Sequence, residues 1–327
     1  MPKLLLNVLM ITYNHEKYIE QSVLSVLNQK TDFEYNIIIG EDCSTDSTRS
    51  ILLNLKDKYP DKINLLLQET NVGARKNLRM VEELCTAPFI ACLEGDDYWT
   101  SENKLQKQVD FLKTNKEYSA CVHRIDIINA DGRLLKNELA TAIQELYVNG
   151  ENYTINDLSH GKLPGQSGTM VYRNILSQLN DKLRNLYFNT DCNGDLRRTA
   201  LMLSKGNIYC FNEAMSNYRH VVQGGSSWSA STYGKNITDV FYRSYIQLEI
   251  FTKELIDNEV DFYPIKEQIC IVSFVFFIKH PNKKNLNKFL YIYKNIESKK
   301  SFWKSIFIKV NTKFFKTKNN EVNTYGK

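Results

Sequence analysis

An open α/β sheet, mostly parallel and with helices on both faces, is the fold class the sequence predicts. Three observations carry that expectation. The first hundred residues alternate strand-like and helix-like segments. The strand-like segments are continuous apolar runs, as suits strands buried on both faces. Each run also closes on a polar cluster, and in sheets of this class ligands bind beyond the carboxyl ends of the strands, near the switch in strand order.

The elements follow in order. LLLNVLMIT is the first strand, and HEKYIEQSVLSVLNQ is a helix with Ile19, Val23, Val26 and Leu27 on one face. YNIIIGED is the second strand; STDSTRSILLNLKDKY is a helix with Ser44 or Thr45 as its N-cap. KINLLLQ is the third strand, a helix runs through roughly 74–85, and PFIACLEG is the fourth strand. Ser101 is positioned to cap SENKLQKQVDFLKTN, whose Leu105, Val109 and Leu112 share a face. YSACVHRIDIIN reads as a strand before an NADG turn, PGQSGTMVYRN as a further strand, and GDLRRTALMLSKG as a helix ending at Gly206. Beyond about residue 235 the chain turns helical and lysine-rich. The expected organisation is a catalytic unit over 1–232, divided near 100 into a nucleotide half and an acceptor half, and a helical C-terminal region over 233–327.

Composition narrows the class. With 43% hydrophobic and 24% charged residues the 327-residue chain has the balance of a soluble globular protein. Its seven cysteines form no CxxC pair and no zinc spacing, and most sit in apolar runs, which points to buried free thiols in a reducing cytoplasm. The apolar N-terminus lacks a small-residue cleavage site and passes straight into TYNHEKY, so a buried strand is expected there. The longest uncharged apolar run, ICIVSFVFFI, is about half the length of a membrane span. The net charge of +5 is uneven: thirteen lysines stand against two glutamates from Lys279 onward. A basic tail of this kind fits an acidic partner.

Chemistry concentrates in LEGDDYW, where Glu94, Asp96 and Asp97 crowd into four positions. Such carboxylates raise one another's pKa unless a cation sits among them. A solvated acidic turn is one reading. A hard-cation site is the other, since magnesium and manganese are often held by one or two carboxylates together with substrate phosphates. There is no GxxxxGK[ST] loop and no GxGxxG after the first strand, so a P-loop enzyme and a dinucleotide-binding fold are disfavoured. Phosphates held through a metal, as in a nucleotide sugar, remain.

ITYNHEKYIEQSVLSVLNQ, EDCSTDSTRSIL, NVGARKNL, LEGDDYW and then GDLRRTALMLSKGNIYCFNEAMSNYRH with QGGSSW resemble, in this order, the inverting family-two glycosyltransferases. The resemblance covers roughly residues 4–230 and implies a GT-A fold, a UDP-sugar donor, a glycan or lipid-linked glycan acceptor, and Mn2+ or Mg2+. It implies that Thr12, Tyr13 and Asn14 lie at the base, that Glu41 and Asp42 bind the uracil and ribose side, and that Lys76 lies toward the diphosphate. Glu94, Asp96 and Asp97 would hold the metal and Asp96 the donor with it. Arg219 and His220 match a segment that closes over the diphosphate, followed by Gly224, Gly225 and Ser226 as a mobile loop. Taken by itself Asp195 could be a helix N-cap; the resemblance makes it the base that deprotonates the acceptor, with Asp191 in reserve. His15, His123, His160 and His280 show no partner pattern. A sugar-nucleotide nucleotidyltransferase and an inactive glycan-binding relative are the rival readings; TYNHEKY lacks the glycine-rich basic segment the former needs, and intact Asp96, Asp97 and Asp195 oppose the latter.

In KKSFWKSIFIKVNTKFFK, Trp303, Ile306, Phe307, Val310 and Phe314 share one helical face with lysines beside them. Such a helix fits the cytoplasmic surface of the inner membrane, or packs on the catalytic domain with its lysines in water. No nucleic-acid motif accompanies the lysines.

Overall fold

A computed structural model of the chain describes residues 4–145, 147, 152–221, 232, 234–256 and 260–308. The four apolar runs form β1 (Leu4–Thr12), β2 (Glu34–Glu41), β3 (Ile63–Leu67) and β4 (Phe89–Glu94). All pair in parallel, in the spatial order β3-β2-β1-β4, with Thr12 beside Glu41 and Ile11 beside Glu94. The chain steps outward from β1 to β3 and then returns to the far side of β1. That reversal puts the carboxyl ends of β1, β2 and β4 side by side at the switch point.

The crossovers are α1 (Ile19–Leu27), α2 (Thr48–Lys58) and α3 (Ala74–Leu84). Alternation along β1 sends Leu6, Val8 and Met10 to one face, under Val23 and Val26 of α1 and Leu52 of α2. Leu9 points to the other face, with Val81 of α3. Each such side chain contributes about 1.5–3 kcal/mol of burial free energy, and all of these are at most 2% exposed. The contact of α3 with β2 is close: a Cβ on Gly40 would lie 2.6 Å from Val81 Cγ2.

The sheet then turns mixed. After β5 (Tyr98–Trp99) come α4 (Lys104–Thr114) and β6 (Tyr118–Ile128), followed by α5 (Glu138–Glu145), β7 (Asn152–Tyr153) and α6 (Ile155–Ser159). Next are β8 (Val171–Arg173), α7 (Asp181–Asn189), α8 (Gly194–Leu203) and β9 (Asn207–Arg219). β8 joins β4 to β6 with antiparallel pairing on both sides, and β9 lies parallel to β6. Most of PGQSGTMVYRN is therefore not strand: only Val171–Arg173 pairs, behind a 3-10 turn at Ser167–Thr169. Two helix starts fall later than expected, at Ser47 rather than Ser44 or Thr45, and at Asn103 rather than Ser101. In the first case the N–H groups of Ser44 and Thr45 are held by Glu41 and Asn14 instead of entering the helix.

The C-terminal helices α9 (Thr238–Leu255), α10 (Tyr263–Lys279) and α11 (Lys283–Asn295) precede a helical stretch over 299–308. Leu248, Phe251, Ile269, Phe289 and Phe302 share one core cluster with Leu9, Ala200 and Tyr187, so this region packs onto the sheet side rather than around a core of its own. All seven cysteines are free and six are buried. Among the described residues no helix is long and apolar enough to cross a membrane. The Gly224–Ser226 segment, Val310 and Phe314 lie outside the described residues.

Candidate active site at the carboxyl ends of the strands

Two loops frame the nucleotide side. Asn14 takes a left-handed conformation (φ 56°), which asparagine tolerates better than most residues. Its side chain accepts from the N–H of Thr45 (2.8 Å), and its own N–H donates to Ser44 Oγ (3.0 Å). The N–H of His15 donates to Thr48 Oγ1 (2.8 Å). The loop after β1 is thereby tied to the loop after β2, with Tyr13 half-buried between them.

Glu41 and Asp42 are both held by donors within the protein. Glu41 is fully buried; one carboxylate oxygen accepts from the N–H of Ser44 (2.6 Å) and the other from the Arg49 guanidinium. Asp42, 2% exposed, accepts from the N–H groups of Val72 (2.7 Å) and Gly73 (2.9 Å) at the start of α3. That is a favourable place for a negative charge. A buried carboxylate costs heavily unless it is compensated; Glu41 is paired with Arg49 and hydrogen-bonded, and Asp42 is hydrogen-bonded by two N–H groups. They build the wall of the site rather than present free acceptors to it.

The acidic turn after β4 is held from across the cleft. Gln166 Nε2 donates to Glu94 (3.1 Å) and to Asp97 (3.0 Å), and Ser167 Oγ donates to the other oxygen of Glu94. Asp97 is 3% exposed, and its second oxygen accepts from the N–H of Arg219 (2.7 Å). Asp97 is turned inward, with both oxygens accepting from the protein, and it braces the turn. Asp96 is the open member. Its carboxylate accepts no hydrogen bond from the described residues, and it lies 3.8 Å from His15 Nε2. His15 therefore belongs to this site although its sequence pattern gave it no role. Gly95 lets the turn lie this close, since a Cβ there would be 2.7 Å from Thr12 Oγ1 and 3.0 Å from His15 Nδ1.

Arg219 is engaged by the protein as well. At 3% exposure it donates to the backbone oxygens of Asp96 (3.0 Å) and Ala130 (3.1 Å) and to Gln21 Oε1 (3.0 Å), and it lies 4.3 Å over the Tyr18 ring. Its guanidinium locks the turn from behind. His220 donates its N–H to Ile128 O (2.8 Å), and burial lowers the pKa of its ring. Lys76 is exposed and makes no ion pair among the described residues; Arg75 beside it donates to Asp191 (2.6 Å) and Thr190 O (2.6 Å), joining α3 to the loop before α8.

Asp195 stands in the first turn of α8, but it is not the cap: Asn193 is, accepting from the N–H of Asp195 at 2.8 Å. The Asp195 side chain is 58% exposed and lies 3.5 Å from Arg198 Nη1. Arg198 is buried and also pairs with Glu82 (3.1 Å), which accepts from Tyr187 Oη as well (3.1 Å). These acids act on one another electrostatically. Burial first, and Asp195 next, push Glu94 up to about 7, and burial with Asp96 and Glu94 raises Asp97 well above the usual carboxylate range. The phenol of Tyr147 is raised by burial, Tyr218 and the same three acids, Asp195, Asp97 and Glu94.

This is a cluster short of positive charge, and its chemistry suits a hard divalent cation. Among the described residues no three His, Cys, Asp or Glu side chains form a cage for one. Asp96 and Glu94 are carboxylate donors of the kind such a cation takes together with substrate phosphate and water. Sequence reasoning missed Gln166 and Ser167, although the density of Pro164, Gly165 and Gly168 around them marks a turn rather than a strand.

Comparison with known proteins agrees with this architecture. An uncharacterized protein of Mycobacterium tuberculosis is 35% identical over 127 residues, 39% of this chain and 37% of that protein. TuaG of Bacillus subtilis, named as a teichuronic acid biosynthesis glycosyltransferase, is 29% identical over 232 residues, 70% of this chain and 85% of TuaG. Among solved structures, S. aureus TarS 1–349 in complex with UDP-GlcNAc superposes with a TM-score of 0.61 at 18% identity, over 90% of this chain and 80% of that one. The mannosyltransferase PcManGT of Pyrobaculum calidifontis, in complex with GDP-Man and Mn2+, gives 0.53 at 13% identity, over 96% and 82%. Both share the fold. Residues 7–179, more than half of the chain, match the model of glycosyl transferase family 2, so the chain belongs to that family and has the GT-A fold.

Proposed function

We propose that the protein transfers a hexose or N-acetylhexosamine from a UDP-sugar to a hydroxyl of a glycan acceptor, with inversion. The observation that carries this reading is the pair of open carboxylates, Asp96 and Asp195, in a cleft whose other acids are occupied. Thr12, Tyr13 and Asn14 border the base pocket, walled by Glu41 and Asp42. Asp96, with Glu94 behind it, would hold Mn2+ or Mg2+ together with the donor diphosphate. The cation supplies stabilisation of the charge that develops on the leaving diphosphate. Asp195 accepts the proton of the acceptor hydroxyl as its oxygen bonds to the anomeric carbon and the bond to the diphosphate breaks. Arg198 keeps that carboxylate in place from beneath.

On this reading residues 1–100 serve the donor, 101–232 the acceptor, and 233–327 form the helical region. The setting is surface-polysaccharide assembly, such as O-antigen, capsule or lipooligosaccharide, on a lipid-linked acceptor at the cytoplasmic face of the inner membrane. The relatives' names and the UDP-GlcNAc of the TarS complex support the sugar class and the donor. A screen of UDP-sugars for manganese-dependent hydrolysis tests it: release of UDP from at least one donor is expected, and no response to any nucleotide sugar would sink the donor assignment.

A further inference from the structure

Exposed apolar surface is concentrated at one place in this molecule. Of the fourteen exposed large apolar side chains among the described residues, seven lie between residues 272 and 308. Val272, Val275 and Ile278, at 48%, 41% and 60% exposure, follow helical spacing along the outer side of α10. Trp303, Phe307 and Ile308, at 49%, 67% and 51%, lie on the helix over 299–308. The two stripes adjoin, because the Trp303 ring meets the Phe274 ring edge-on at 5.8 Å and Phe274 is one helical turn from Ile278. An apolar surface gathered in this way marks an interaction site on a soluble protein.

The charge around it selects the partner. Residues 260–308 hold nine lysines against three acidic residues. Of those acids, Glu297 pairs with Lys266, and Glu267 accepts from Tyr263 and Ser305. Lys279, Lys300 and Lys304 are exposed at the ends and sides of the apolar stripes. A second copy docking face to face would set lysines against lysines. The chain beyond residue 308 adds five more lysines and one glutamate, charge of the same sign as the face. An anionic bilayer surface satisfies both features: apolar side chains enter the acyl boundary, and lysine heads stay among the phosphates.

We infer that the joint face of α10 and the 299–308 helix docks the protein onto anionic phospholipid. This rests on the reading of the chain as a peripheral membrane protein, and it names the surface that does the binding. The full chain should co-sediment with phosphatidylcholine vesicles containing phosphatidylglycerol, and far less with phosphatidylcholine alone or at high salt. The double variant Ile278→Asp, Phe307→Asp changes only exposed positions and should reduce binding by at least about tenfold. The triple variant Lys279→Gln, Lys300→Gln, Lys304→Gln should lose on the order of 10²-fold, at roughly fivefold per lysine. Unchanged melting temperatures and unchanged donor hydrolysis in vesicle-free buffer would show that both variants are folded. Anionic-vesicle binding by the wild type that both variants retain overturns the assignment of the surface. Wild-type protein that ignores anionic vesicles overturns the membrane reading with it, and donor hydrolysis in the same sample reports separately on the enzymatic reading. A wild-type dimer that Ile278→Asp, Phe307→Asp dissociates would make the face an interface between copies instead.

Discussion

Glu41 and Asp42, at the end of β2, are buried and have their carboxylate oxygens engaged by Ser44, Arg49, Val72 and Gly73. Asp195, across the cleft at the start of α8, is more than half exposed and meets a single guanidinium at 3.5 Å. The same chemical group serves two purposes within one site. Where the protein supplies every donor, the carboxylate fixes loops and a helix start; where it leaves one open, the carboxylate remains available to substrate. The acidic turn repeats the contrast at closer range, with Asp97 closed and Asp96 open on adjacent residues.

Substitutions can break that comparison. Asp195→Asn keeps size and shape but removes the basic oxygen, so sugar transfer should fall by about 10²–10⁴-fold, with UDP affinity unchanged by calorimetry. Transfer at the wild-type rate would move the base elsewhere, with Asp191, paired to Arg75, next in line. Asp42→Asn should act in the opposite sense. It leaves one of the two N–H groups of Val72 and Gly73 poorly accepted, at a cost of about 1–3 kcal/mol. Denaturant titration should register that loss while the UDP affinity of the folded protein holds; weakened affinity at full stability would make Asp42 a ligand-binding residue instead.

A smaller effect sharpens the same distinction one layer below. Lys104 is fully buried under the Trp99 ring at 4.1 Å, and burial lowers its pKa to about 7. The Trp99 indole in turn donates to Gly168 O in the turn that carries Gln166 and Ser167 (2.9 Å). An unfolded lysine binds its proton up to about pH 10.4, so between these two values the unfolded state holds more protons and stability rises with pH. Lys104→Met should therefore raise the melting temperature at pH 7, the gain should shrink toward pH 10, and transfer should stay intact. A stability gain independent of pH would contradict a neutral buried amine.

How much of this was legible in the sequence follows from the range of the interactions. Continuous apolar runs give the parallel strands directly, because burial on both faces leaves no other pattern. The convergence of Thr12, Glu41 and Glu94 follows from the switch-point rule, and Asp195 from its motif. The division into open and closed acids was not legible. It depends on partners such as Gly73 for Asp42 and Arg219 for Asp97, which lie 31 and 122 residues away. Arg219 illustrates the point: its motif suggests a cation for the diphosphate, and nothing local to it announces its contacts with Tyr18, Gln21 and Ala130. The α2 start slipped for a local reason, since Asn14 and Glu16 of the neighbouring loop accept from the N–H groups of Thr45 and Ser47.

The open-versus-closed account is tested most directly by thermal melting of Asp96→Asn and Asp97→Asn, each with and without UDP and manganese. Saturating donor nucleotide should stabilise the wild type by about 2.7 kcal/mol at a hundredfold excess over Kd. The account predicts that Asp96→Asn melts like the wild type when unliganded but loses the manganese-dependent increment. Asp97→Asn should melt lower when unliganded and keep that increment. The reverse outcome, with the increment lost in Asp97→Asn and kept in Asp96→Asn, would contradict it.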